Sequence, residues 1–123
     1  IVTATTPGYG RKLANTNKNL LTNKTLYICS DNLAMEVNSI EKIAKIYSGK
    51  VKIANKEDIY NTLINGDNKA AVAFAIKTNC KIGLNCIKFI IDVNTGDMIY
   101  YAIQEVKSKD QDGFTASDFK KLL

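Results

Sequence analysis

The sequence predicts an α/β domain built on a mixed sheet, with α+β as the alternative arrangement, and three observations carry that expectation. Up to residue 69, short β-branched or aromatic runs alternate with capped amphipathic segments. The stretch Ala70 to Ile76 is then apolar at every position. After it come two strand-like runs joined by Asn94-Thr95-Gly96-Asp97, a hairpin signal with Gly96 available for the left-handed position.

Each element has its own reason. Thr25 to Cys29 (TLYIC) is a short strand of β-branched and aromatic type. Ser30, Asp31 and Asn32 are successive N-cap residue types. Behind them Leu33, Val37, Ile40, Ala44 and Tyr47 recur at helical spacing, predicting one amphipathic helix that stops at Gly49. Val51 to Ala54 reads as a second strand. Asn55 caps a second helix, with Ile59, Leu63 and Ile64 on its apolar face and Asn65-Gly66 ending it. The all-apolar run is expected as a central strand covered on both faces. Cys86 to Val93 alternates, so Ile87, Phe89, Ile91 and Val93 are expected inward and Lys88 and Asp92 outward. Met98 to Val106 returns as its partner, Ser108 to Gly113 is a polar turn, and a closing helix starts at Thr115 or Ser117. The predicted order is βαβαβββα, with the first three strands parallel and the last three an antiparallel meander.

The chain of 123 residues suits a single domain, 1–123. Its net charge is +5, and residues 1–24 hold Arg11, Lys12, Lys18 and Lys24 without any acid. A basic, polar arm (1–24) ahead of a nearly neutral folded body (25–123) is therefore expected. The arm's four cations are candidate binding residues. Arg11 is the one arginine in the chain, and arginine supplies the planar fork for phosphates and guanine edges. Nucleic acid is accordingly a disfavoured partner. The longest uninterrupted apolar run has seven residues, which is too short for a membrane-spanning helix.

Histidine is absent, which excludes Ser-His-Asp and Cys-His catalysis and His-bearing zinc sites within this chain. No Walker loop, dinucleotide fingerprint or other cofactor motif is present. Cys80 and Cys86 flank a short loop between two strand-like runs, and a disulfide between them is expected. The chain starts at Ile1, so any signal peptide is expected to have been removed. Together these predict a periplasmic or secreted protein, or a cytoplasmic one if the two thiols are reduced.

Cys29 ends the first strand just before a helix start, where a thiol's pKa is lowered and where open α/β sheets bind ligands. The element order is broadly similar to that of the thioredoxin-like fold, which also begins with a strand and a redox cysteine near a helix. The tetrad here is Cys29-Ser30-Asp31-Asn32, without a second cysteine, and Pro7 is the only proline. A buried cysteine finishing a strand explains the same position. The run Asp110-Gln111-Asp112-Gly113 resembles the middle of an EF-hand or dockerin calcium loop, which implies Asp110 and Asp112 as calcium ligands. Ser108 and Phe119 stand where that pattern has acids, and a polar turn before a capped helix accounts for the run equally. Tyr100 and Tyr101 point to opposite faces of their strand, so one can serve an interaction surface. Two functions follow as expectations. The first is a non-catalytic domain that binds a protein partner through its meander face or basic arm. The alternative is a thiol-dependent oxidoreductase or thiol-reactive enzyme using Cys29.

Overall fold

The structure, a computed structural model, describes residues 18–80, 83–107 and 112–122. Strands β1 (Thr25–Ile28), β2 (Lys50–Ile53), β3 (Ala70–Cys80), β4 (Gly83–Asp92) and β5 (Met98–Glu105) form one mixed sheet ordered β2-β1-β3-β4-β5. Helices α1 (Ile40–Ala44), α2 (Lys56–Asn65) and α3 (Ala116–Lys121) pack on it. β1 runs parallel to both β2 and β3, because the chain between them crosses over through helical segments. β3, β4 and β5 are an antiparallel meander. The βαβαβββα order is that of an α/β domain.

The first amphipathic segment is not one helix. It breaks into two 3-10 turns, Ser30–Asn32 and Met35–Val37, and the five-residue α1, capped by Ser39. The break comes from a competing backbone partner. Phe114 donates its N–H to the Asn32 carbonyl, and Ala34 donates to the Phe114 carbonyl, so Leu33 and Phe114 form a parallel bridge. Those amide and carbonyl groups are thereby diverted from a continuous helical ladder. Leu33, Val37, Ile43 and Tyr47 still reach the core, while Ile40 and Ala44 are exposed. Gly113 makes the approach possible: its φ is +96°, and a Cβ there would sit 2.5 Å from the Asn32 carbonyl oxygen.

The main core lies on the sheet face covered by residues 33–47 and α3, and includes Leu26, Ile28, Ile90, Phe114 and Phe119. Leu21 belongs to it and Leu20 packs against it, so the end of the expected surface arm is docked; residues 1–17 lie outside the described residues. A smaller cluster on the other face gathers Cys29, Ala54, Ile59 and Val72 beneath α2. α2 has the predicted form, with Asn55 accepting from the Asp58 N–H and Gly66 in the left-handed conformation. β3 is the central strand, but only Ala70 to Ala73 are covered on both faces; Ile76 is 49 % exposed.

The strongest departure concerns β4. Its alternation is real, and its sense is reversed. Lys88 and Asp92 are fully buried, whereas Ile87, Phe89 and Ile91 are only half-buried. In β5 a register shift sets Ile90 opposite Tyr100 and Ile91 opposite Met98, leaving Ile99 as an extra residue. Ile99 and Tyr100, adjacent in sequence, are consequently both buried in the main core.

These placements reverse the expected ranking of two phenylalanines, because Phe114 is fully buried in the main core and Phe74 only half-buried. Phe114→Ala is expected to cost about 3–5 kcal/mol, and Phe74→Ala clearly less, in denaturant-unfolding midpoints. A larger loss for Phe74→Ala would contradict the assignment of the covered face.

Candidate functional site

The reversal on β4 creates two sites of opposite character, one polar and sealed, the other apolar and open. Lys88 lies on the covered face of β4, beside Ala102 across the ladder. Its ammonium group is fully buried and donates to Asp118 Oδ2 and to Gln104 Oε1, the latter at 2.5 Å. Asp118 arrives from α3, where Thr115 and Asp118 form a reciprocal capping box. The Thr115 N–H and hydroxyl donate to Asp118 Oδ2 at 2.8 and 3.0 Å, and the Tyr100 hydroxyl donates to Oδ1 at 2.5 Å. Burial and the bond to Asp118 push the Tyr100 hydroxyl far above its ordinary range. With Lys88 sealed from solvent, this network has no face for a substrate. Chemically it is a clamp that joins α3 to β4 and β5.

Two further pairs flank it. Lys24 bridges Asp92 at 2.7 Å and also donates to the Asn68 carbonyl, tying the start of β1 to the end of β4. Lys77 and Asp112 meet at 2.5 Å on a partly exposed edge of the same covered face. Lys24 is therefore committed inside the molecule and is not a free binding cation. Arg11 and Lys12 lie outside the described residues, as do Asp110 and the side chain of Lys18. Asp112 makes its ion pair with Lys77, and among the described residues no group of three or more Cys, Asp or Glu converges on one point.

The three cysteines are placed apart. Cys29 follows β1 but precedes a three-residue 3-10 turn, not a long helix, and packs against the Ala54–Ile59–Val72 cluster. Its setting is that of a buried strand end. Cys86 is a free, buried thiol, and burial pushes its pKa up. The register sets Cys86 opposite Lys77 and Cys80 opposite Gly83, three ladder positions away. At about 3.3 Å per residue that offset is roughly 10 Å, beyond a disulfide's reach, so the expected Cys80–Cys86 bridge is not formed.

The open site is the other face of the meander. The register aligns Phe74 with Phe89 and Phe89 with Tyr101, and likewise Ile76 with Ile87 and Ile87 with Ile103. These six side chains share one face. Phe74 and Phe89 stack with ring centroids 5.1 Å apart. α2 covers the neighbouring part of this face over Tyr27 and Val72, and Phe74 packs against the edge of that cluster, while Ile76 is left at 49 % and Ile103 at 48 % exposure. Tyr101 belongs to this strip, while Tyr100 belongs to the buried clamp. The alternation in Cys86 to Val93 contained the strip, but hydrophobicity alone sent it inward. A second, open hollow of about 450 Å³ lies among Leu21, Tyr47, Gly49, Lys50 and Leu122. It sits at the amino ends of β1 and β2, away from the carboxyl ends where α/β sheets bind ligands.

Two outcomes test the clamp. Asp118→Ala leaves the Lys88 ammonium buried without its carboxylate and is expected to cost about 3–5 kcal/mol. In pH titrations of stability, Tyr100, Tyr47 and Cys86 all have raised pKa values in the fold. Their protonated forms are favoured by folding, so stability is fully present below their ordinary values of 9.0 to 10.0 and falls as pH rises beyond them. Tyr100→Phe is expected to flatten that alkaline decline in denaturant midpoints; an unchanged slope would remove Tyr100 from the account. Compared with known proteins, the chain matches no family model, no curated protein and no solved structure.

Proposed function

We propose that this domain is a non-catalytic protein-binding module, and that its docking surface is the open apolar strip of the meander. The observation that carries this reading is the row Ile76, Ile87, Phe89, Tyr101 and Ile103, which continues the sheet face beyond Phe74, where the cluster beneath α2 ends. An apolar patch of this kind on a folded domain marks an interaction site. Dimensions favour one kind of occupant. From β3 to β5 the strip spans two strand spacings, roughly 10 Å, which is the width of one α-helix. An amphipathic helix of a partner protein, laid beside α2, would complete the layer that α2 begins.

Crosslinking from position 76 in the native cell identifies the partner, whose purified form is then titrated against three versions of the domain. Ile76→Lys is expected to weaken binding by about tenfold or more, since a desolvated apolar contact becomes a charge. Ile64→Lys, at a residue 81 % exposed on α2, is expected to leave affinity unchanged. Dependence on Ile64 and not on Ile76, or a bound partner segment without helical structure, would sink this reading.

A further inference from the structure

The two edges of the sheet differ. β2, at one edge, is four residues long and carries Lys50 and Lys52. Short strands and lysines are ordinary devices against edge-to-edge pairing. β5, at the other edge, runs for eight residues, MIYYAIQE, with neither lysine nor proline. No strand lies beyond it among the described residues.

The direction of the backbone groups from Tyr101 to Glu105 follows from alternation. Val106, just past β5, donates its N–H to the Leu84 carbonyl of β4. In an antiparallel ladder, residues two and four positions back share that direction, so Gln104 and Ala102 face β4. Tyr101, Ile103 and Glu105 therefore turn their N–H and C=O groups outward. Tyr101 and Ile103 also belong to the open apolar strip.

We propose that β5 pairs antiparallel with β5 of a second copy of this chain, about a two-fold axis at Ile103. Such a strand is its own complement: the same outward groups donate and accept on both sides of the axis. In this register Ile103 faces its own copy, and Tyr101 faces Glu105. A tyrosine hydroxyl then meets a carboxylate, and the register that would oppose two Glu105 carboxylates is avoided. The two five-stranded sheets become one sheet of ten strands, and the two apolar strips lie side by side. An edge interface of one strand falls at the small end of specific interfaces, so the dimer is expected to be reversible and concentration-dependent, not obligate. The pairing uses the edge and not the open face, so it stands or falls apart from the helix-docking reading.

Sedimentation equilibrium of the full chain from about 1 to 500 μM is expected to show monomer passing to dimer across that weak-interface range. Over the same range, amide exchange at Tyr101, Ile103 and Glu105 is expected to slow by roughly tenfold or more as the edge becomes hydrogen-bonded. Ile103→Lys sets two ammonium groups against each other on the axis and is expected to abolish the dimer. Ile103 is half exposed, so the fold should survive this change, and far-UV circular dichroism checks that it does. Ile76→Lys places the same charge on the strip at β3, away from the edge, and is expected to leave the dimer intact. A chain monomeric at every concentration overturns the proposal. So does a dimer that Ile76→Lys breaks as readily as Ile103→Lys, which would mean that the strips stack face to face. A dimer that persists in both variants, or one without protection at those three amides, overturns it equally.

Discussion

The buried ammonium of Lys88 is the constraint around which the rest of this structure is arranged. A lysine can be sealed from water only where its charge is paired and its donors are met, and Asp118 and Gln104 meet those terms. Asp118 in turn needs donors, and Tyr100 and Thr115 provide them. These residues come from β4, β5 and the start of α3, so the network sets the docking angle of the last helix on the sheet. Phe114 and Phe119, on either side of Asp118, then fill the core beside it. The same segment reaches across to Leu33 and breaks the first amphipathic stretch into turns.

Covering the polar side of β4 leaves its apolar side outward. Among the described residues the sheet is thus asymmetric, with one face closed by residues 33–47 and α3, and the other covered in part by α2. In an isolated domain a row that leaves Ile76 and Ile103 about half exposed forgoes burial of roughly 25 cal/mol for each Å² left in water. The cost is retained alongside a clamp of three titratable side chains on the opposite face, which links the proposed binding strip to the feature that stabilises the fold. The edges are equally uneven, since β2 is four residues long with two lysines and β5 is eight residues long with none.

The thiols fit this arrangement as core residues. Cys29 closes the end of β1 beneath α2, and Cys86 fills space on the covered face two residues before Lys88. Burial raises the Cys86 pKa against a smaller opposing effect from the Gly113 backbone, so at neutral pH it is a thiol and not a nucleophilic thiolate. Neither position presents sulfur at an open surface.

The sequence by itself determined the βαβαβββα order, the parallel and antiparallel halves of the sheet and the turn at Gly96, because these depend on local chemistry. Capping by Asn55, the left-handed Gly66 and the period-two alternation of β4 act over a few residues and are legible one after another. It also separated Tyr100 from Tyr101, since neighbouring strand residues face opposite sides. Only the tertiary structure decided which side was inside. Alternation states that Lys88 and Phe89 face apart but not which of them meets water. That choice rests on Asp118, thirty residues later, whose carboxylate makes burial of Lys88 tolerable. The fate of the 33–47 stretch had the same origin, because its backbone partner, Phe114, lies about eighty residues downstream. Helical spacing had the right residues for the core and the wrong backbone, since hydrogen bonds between distant segments leave no local pattern.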